Sequence, residues 1–430
     1  MSKRTVRRRR KVVLAPFDRH RLPPRQNLFL MPLIWLVCFV LTRGGRLRIR
    51  KKGMRGLRPP FLVVATHHAF MDFYVTPLTL FPFRANYISE LEGFEHYGEW
   101  IYRQIGCLGT RKFVSDLALI RNIRRVTARG DILVVYPEAR YANVGTHSPL
   151  SLPLVKLARL LDVPVVTLNM HGNYLRSPIW NLRTRRGIRL EAEIEQVFSR
   201  EELQAADDEE VLRVLQEKLS YDEYAMQWER GIEITEPWRA EGLEAVLYLC
   251  PECGAEFRMR AEGAQLRCEA CGLSMWLTPL GRLEVMAPAA CCGQTFHIPA
   301  LYEAQRAKVE AEVASGAYRL CCEVFAEALP NAKNFVDCGI GTLWHDAEGF
   351  RLKLGAGGVD GGSLLHFPPA SMESVHTEYD FRGRGQCITL STPDNTWFLY
   401  PVPEAEWFNV TKIQFAQECL YRSARGVLQE

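Results

Sequence analysis

Two groups of side chains in this 430-residue sequence have the types and spacing that chemistry needs. The first is His67 with Asp72, in the run Thr66-His67-His68-Ala69-Phe70-Met71-Asp72. A carboxylate on one imidazole nitrogen fixes the tautomer and leaves the other nitrogen free as a general base. On a continuous helix, residues five apart lie about 140° around the axis and would not face each other. They meet if His67 sits in a strand-to-helix loop and Asp72 in the first helical turn, where the helix dipole also favours an aspartate. The second group is Cys250, Cys253, Cys268 and Cys271, two Cys-x-x-Cys-Gly knuckles separated by fourteen residues. That interval predicts a four-cysteine tetrahedral zinc site, the glycine after each knuckle permitting the tight turn. Rubredoxin-like iron would use the same ligands, whereas two matched knuckles argue against a redox pair.

Short apolar runs of the kind buried strands show occupy 61–66, 85–89, 131–136 and 163–169, with helical stretches between them at 116–129 and 153–161. Strands alternating with helices predict an α/β domain with a mostly parallel sheet. Ligands bind such sheets at the carboxyl ends of the strands, which is where His67 falls. Further along, 298–316 reads as a helix. Beyond residue 318, short β-branched and aromatic stretches alternate with turn signals, and 409–425 is again helical. This pattern predicts a small β-sandwich or barrel capped by a helix, pleckstrin-homology-like in layout and without function on that ground alone. The expected organisation is a basic arm and interfacial helix (1–44), the α/β domain (45–235), a zinc ribbon (243–284), a linker helix (285–317) and the β-rich domain (318–430). Cys291, Cys292 and His297 match no ligand spacing, so the two cysteines are expected to be buried thiols.

Three further blocks follow His67 and Asp72 in a fixed order: Gly106-Cys-Leu-Gly-Thr-Arg-Lys112, Tyr136-Pro-Glu-Ala-Arg140 and Val163-Pro-Val-Val166. With these, residues 45–235 resemble the lysophospholipid acyltransferases of the 1-acylglycerol-3-phosphate O-acyltransferase type, and the whole layout resembles a bacterial subgroup of that family. Four ordered blocks are far more specific than any one. The resemblance implies that His67 deprotonates the free hydroxyl of a lysophospholipid while Asp72 stabilises the imidazolium. The alkoxide then attacks the thioester of acyl-CoA or acyl carrier protein. It also implies a substrate-binding set of Arg111, Lys112, Glu138 and Arg140, since arginine matches phosphate oxygens bidentately. Two departures stand out. The family's basic residue aligns with Lys112, although Arg111 is the more family-like type, and Glu-Gly-x-Arg is here shortened to Glu138-Ala-Arg140. Ordinary solvated surface is the other reading of these cations, and His68, His147 and His171 are read as structural.

Composition bounds the rest. Hydrophobic residues are 47% and charged residues 24%, and mean hydropathy is −0.12, which excludes a polytopic membrane protein, global disorder and collagen-like or mucin-like chains. The net charge of +5 conceals an asymmetry: residues 1–60 hold 18 Lys and Arg against Asp18 alone, +17, leaving −12 for the remainder. Fifteen uncharged residues, 28–42, would make a helix of about 22 Å, short of a ~30 Å hydrocarbon core, with basic residues on both flanks and Pro32 interrupting the run. An interfacial helix on an anionic membrane fits, at the cytoplasmic face of the cell membrane, peripheral or monotopic. No secretory signal is expected, and thirteen cysteines without a disulfide pattern point to a reducing compartment. The ribbon's arginines are balanced by glutamates, which argues against nucleic acid as the partner. The expected function is a membrane-associated acyltransferase. The alternative is a catalytically idle acyltransferase fold that binds lipid or serves as a scaffold.

Overall fold

The computed structural model describes residues 17–43, 46–355, 361–403 and 407–426. Helix α1 (Met31–Leu41) precedes a seven-stranded sheet of β1 (Arg48–Lys52), β2 (Leu62–Ala65), β3 (Ala85–Glu90), β4 (Cys107–Thr110), β5 (Ile132–Val135), β6 (Val165–His171) and β7 (Glu191–Phe198). Its order is β1-β7-β6-β2-β5-β3-β4. Strands β6, β2, β5, β3 and β4 run parallel, while β7 pairs antiparallel with β6 and parallel with β1. The expected mostly parallel sheet is therefore present, with a reversed edge.

Every residue of β2 is buried because both faces of the sheet are covered. Val63 and Ala65 face one layer, which includes Val75 and Leu80 with Phe94 and Tyr102. Leu62 and Val64 face the other, built on Ile123, Val126, Val155, Leu161 and Leu215. The helix Leu117–Ala128 starts where predicted because the Asp116 carboxylate accepts from the amides of Ala118 (2.8 Å) and Leu119 (3.3 Å). From β2 the chain passes to β3, and β5 later inserts between them while β6 flanks β2 on the other side. A crevice forms at such a reversal, at the carboxyl end of β2.

Pro32 does not interrupt α1. It lies in the first turn, where its fixed φ suits the helix and no amide is needed. Among the described residues, no helix is long and apolar enough to cross a membrane.

The ribbon contributes a five-stranded antiparallel sheet that runs on to His297. Residues 320–401 form a second seven-stranded sheet, entirely antiparallel, an open half-barrel capped by the helix Val410–Arg425. The cysteine pair differs from expectation: Cys291 is half-buried and Cys292 exposed, because they close a short 3-10 turn beside the ribbon sheet. The parts share cores. Leu266 of the ribbon, Ile298 and Tyr302 of the linking helix, and Leu343 and Phe415 beyond it belong to one apolar cluster. Leu329, Phe398 and Tyr400 of the C-terminal sheet join the first layer of the α/β sheet.

Candidate active site

Three of the four sequence blocks converge at the carboxyl ends of the parallel strands β2, β4 and β5, whereas Val163-Pro-Val-Val166 opens β6 at its amino end. β2 ends at Ala65, and His67 lies in the loop before α2 (Asp72–Thr79), whose first residue is Asp72. The imidazole Nδ1 of His67 is 3.1 Å from Asp72 Oδ2. The Asp72 side chain is 0% exposed and that of His67 20%. Oδ2 also accepts from the backbone amides of His68 (2.6 Å) and Ala69 (3.1 Å), and Oδ1 accepts from the Asn173 side-chain amide. With Nδ1 on the carboxylate, Nε2 is the nitrogen left for a proton. Burial pushes the His67 pKa down, opposed by Asp72, so the ring stays neutral and able to accept a proton near neutrality.

Two residues outside the expected set confine that ring. Tyr136 stacks on His67 with centroids 4.4 Å apart, and Tyr141 tilts against it at 4.5 Å. Tyr136 opens the third block and Tyr141 follows it, so their place beside a motif was the available signal. Asn173 was missed too. Its signal is a polar residue after glycine at the end of the strand neighbouring β2.

Glu138 lies behind the histidine loop rather than facing solvent. Its carboxylate accepts from the amides of His67 (3.2 Å) and Ser148 (3.0 Å) and from the Tyr221 hydroxyl at 3.3 Å, and burial pushes its pKa up to about 7. Ala139, in the shortened turn, takes a left-handed φ of +53°.

Arg111 and Arg140 are buried, Lys112 is partly buried, and all three are engaged by the C-terminal half. Arg111 donates to the carbonyls of Leu329 (2.8 Å), Pro330 (3.0 Å) and Asp394 (3.1 Å) and to Thr396 Oγ1 at 2.8 Å. Lys112 Nζ is 2.9 Å from Glu90 Oε1 and 3.0 Å from His376 Nδ1, and burial lowers its pKa to about 7. Arg140 pairs with Glu418 at 2.6 Å and Ser374 Oγ at 2.6 Å. The structure thus brings His67, Asp72 and Glu138 together and turns Arg111 and Arg140 toward the C-terminal sheet and its helix.

At the ribbon, Cys250 Sγ is 3.7 Å from Cys271 Sγ, and Cys253 Sγ is 3.8 Å from Cys268 Sγ. All four sulfurs lie within 4.8 Å of one another. Zinc–sulfur bonds of ~2.3 Å in a tetrahedron put sulfurs ~3.8 Å apart, so the thiolates fit the ion. Gly254 and Gly272, at φ +70° and +78°, make the knuckle turns.

Comparison with known proteins places these observations. Residues 47–171 match the acyltransferase family model, and residues 243–275 match a zinc-ribbon model described as DNA directed RNA polymerase, 7 kDa subunit. No curated protein matches the chain. Among solved structures it is similar to the 1-acyl-sn-glycerophosphate (LPA) acyltransferase PlsC from Thermotoga maritima, at 17% identity. That likeness covers 44% of this chain and 76% of that one, with a TM-score of 0.37. The chain carries an acyltransferase-family domain over residues 47–171, followed by a four-cysteine zinc ribbon and an antiparallel half-barrel.

Proposed function

We propose that this chain is a membrane-associated O-acyltransferase that moves a fatty acyl group from a thioester to the free hydroxyl of a lysophospholipid, with 1-acylglycerol-3-phosphate as acceptor. The observation that carries this reading is the His67–Asp72 pair, 3.1 Å apart at the carboxyl end of β2 inside the acyltransferase-family segment. His67 Nε2 takes the hydroxyl proton, and the buried Asp72 carboxylate stabilises the imidazolium. The alkoxide attacks the thioester carbonyl of acyl-CoA or acyl carrier protein, forming the ester bond. The C–S bond breaks, and the imidazolium returns its proton to the departing thiolate.

The acceptor phosphate is assigned to Arg111 and Lys112, with Arg140 beyond them, and Glu138 supports the histidine loop. Binding there exchanges the present partners of these cations for phosphate oxygens, which match a guanidinium equally well.

An anionic membrane surface at the cytoplasmic face is the proposed dock. Leu33, Leu36, Phe39 and Val40 of α1 are at least half exposed, as are Phe29 and Trp100, and the basic β1 is exposed at four of five positions. The basic arm at 1–11 lies outside the described residues. One structural zinc is assigned to the four cysteines.

A second reading, an idle acyltransferase fold serving as lipid binder or scaffold, is favoured by one observation: Arg111 and Arg140 are already hydrogen-bonded within the protein. The deciding experiment is thiol release from acyl-CoA and acyl carrier protein with lysophosphatidate, lysophospholipids and neutral monoacylglycerol. Turnover lost in His67→Ala supports the enzyme; no release with any pair supports the scaffold. Lys112→Ala is expected to raise the KM for lysophosphatidate and leave that for monoacylglycerol nearly unchanged; equal losses would remove the phosphate assignment. Metal analysis of the full chain is expected to give one zinc, and Cys250→Ser to abolish it.

A further inference from the structure

We infer that Asn173 is a positioning residue for the His67–Asp72 pair and that Glu223 holds Asn173 in place. The inference rests on the reading that this pair moves the proton. Asn173 is fully buried, and its Nδ2 donates to Asp72 Oδ1, the carboxylate oxygen that His67 does not use. Its own Oδ1 has no hydrogen-bond partner. Leaving a buried acceptor unpaired is unfavourable, so the side chain is held in an orientation that serves Asp72 at its own expense. With Oδ1 of Asp72 tied to Asn173, and Oδ2 to His67 and two backbone amides, neither the carboxylate's rotation nor its direction is free.

What aims Asn173 lies one turn back. Gly172 takes φ +83°, and a Cβ there would meet the Arg189 carbonyl oxygen at 2.3 Å, so only glycine allows the turn from β6 into Asn173. The Gly172 amide donates to Glu223 Oε2 at 2.7 Å, and His171 Nδ1 lies 2.9 Å from Glu223 Oε1. Glu223 is wholly buried and holds its backbone amide on the Gly145 carbonyl at 2.8 Å. Met170 is bonded from its amide to Thr66 Oγ1 at 3.0 Å, beside His67 itself. The strand end 170–173 is thus pinned on both sides.

Loss of the Asn173 donor leaves the Asp72 charge less shared, which strengthens its hold on the imidazolium. His67 then titrates higher, and with the carboxylate free to rotate the ring is aimed less well at the hydroxyl. The groups facing the pair are Glu138, Lys112, His68, Glu223, Tyr136, Tyr141 and Tyr221, none of which the substitution Asn173→Ala alters.

The test is an NMR titration of the His67 ring in the full chain, wild type against Asn173→Ala, Asn173→Asp and Glu223→Gln, with kinetics beside it. In Asn173→Ala the His67 midpoint should rise by about half a unit or more, and kcat should fall by ~10-fold or more with KM changed less than ~3-fold. Asn173→Asp, which sets a carboxylate against Asp72, should raise the midpoint further, and Glu223→Gln should give a smaller rise. An unmoved midpoint in a folded Asn173→Ala or Asn173→Asp protein overturns the inference. If neither variant folds, hydrogen exchange of the Asn173 side-chain amide in the wild type decides: slow exchange supports the bond to Asp72, and free exchange overturns it. His67→Ala is run in parallel. Retained turnover there removes the dyad reading itself, whereas a dead His67→Ala beside an unmoved Asn173→Ala removes only the positioning role.

Discussion

The loop after β2 and the loops after β4 and β5 carry the same family blocks, yet their side chains stand in different states. Asp72 meets four donors from its own domain, three of them within five residues along the chain. Arg111 makes four hydrogen bonds to residues more than 200 positions away, and Arg140 reaches Glu418. The first arrangement is local and holds the carboxylate fixed on the imidazole. The second ties a basic block to the C-terminal half-barrel. On the proposed reading, a pair that needs no rearrangement to accept a proton lies beside cations that would have to change partners to hold a phosphate.

The sharpest way to break this comparison is to remove one residue from each side. His67→Ala is expected to lower turnover by about 10²–10⁴-fold with only a small fall in the urea midpoint, since it removes a base while the buried Asp72 keeps two backbone amides and Asn173 as donors. Arg111→Met should do the reverse in kind. It strands the buried Leu329 carbonyl and Thr396 hydroxyl and the part-buried carbonyls of Pro330 and Asp394, and losing such partners costs about 3 kcal/mol of stability. Urea unfolding should register that loss, with faster hydrogen exchange at 329–330 and 394–396. A stable Arg111→Met protein would mean that the contact is incidental and the cation free for ligand.

The two sides should also respond to pH with opposite signs. Burial raises Glu138 to about 7, so its contribution is fully present below its ordinary 4.5 and is lost as pH rises through 7. Burial pushes Glu418 up as well, but the guanidinium groups of Arg140 and Arg306 outweigh it and hold the carboxyl at about 2. That contribution is present above 4.5 and is lost as pH falls toward 2. Each shift corresponds to about 3 kcal/mol at most. Unfolding free energy measured from pH 3 to 9 should fall at both ends. Glu138→Gln should flatten the alkaline limb and leave the acid limb, and Glu418→Gln the reverse; one variant changing both limbs would mean that the titrations of the two regions are coupled.

The difference between the regions also explains what could be read from the sequence. The strands, the Asp116 cap and the cysteine knuckles are encoded by neighbours a few residues apart, where periodicity and spacing are informative. The loop position of His67 and the helical start at Asp72 follow from the same local logic. Asn173 offered only a weak signal, its place after Gly172 at a strand end, because its contact with Asp72 spans 101 residues. The capture of Arg111 by Leu329 and Thr396 crosses 218 and 285 residues, between segments each of which reads as an independent domain. Spacing misled at Cys291 and Cys292, where the lack of a ligand pattern suggested buried thiols, and the turn at the ribbon edge leaves Cys291 half-buried and Cys292 exposed.

The smallest expected effect concerns the residue between the two regions. Ala139 follows Glu138, which accepts from the His67 amide, and precedes Arg140, which is bound to Glu418 and Ser374. Shortening the block to Glu138-Ala-Arg140 leaves this alanine at φ +53°, where a Cβ costs about 1–2 kcal/mol and glycine nothing. Glycine's greater freedom in the unfolded chain takes back about 0.5–1 kcal/mol of that. Ala139→Gly should therefore raise the unfolding free energy by about 0.5 kcal/mol and leave turnover within twofold. Ala139→Val, β-branched and still forced to positive φ, should lower it by more than 1 kcal/mol. A destabilised Ala139→Gly protein would mean that the stiffness of this turn holds Glu138 and Arg140 to their separate partners, and that the two regions are coupled through it rather than merely adjacent.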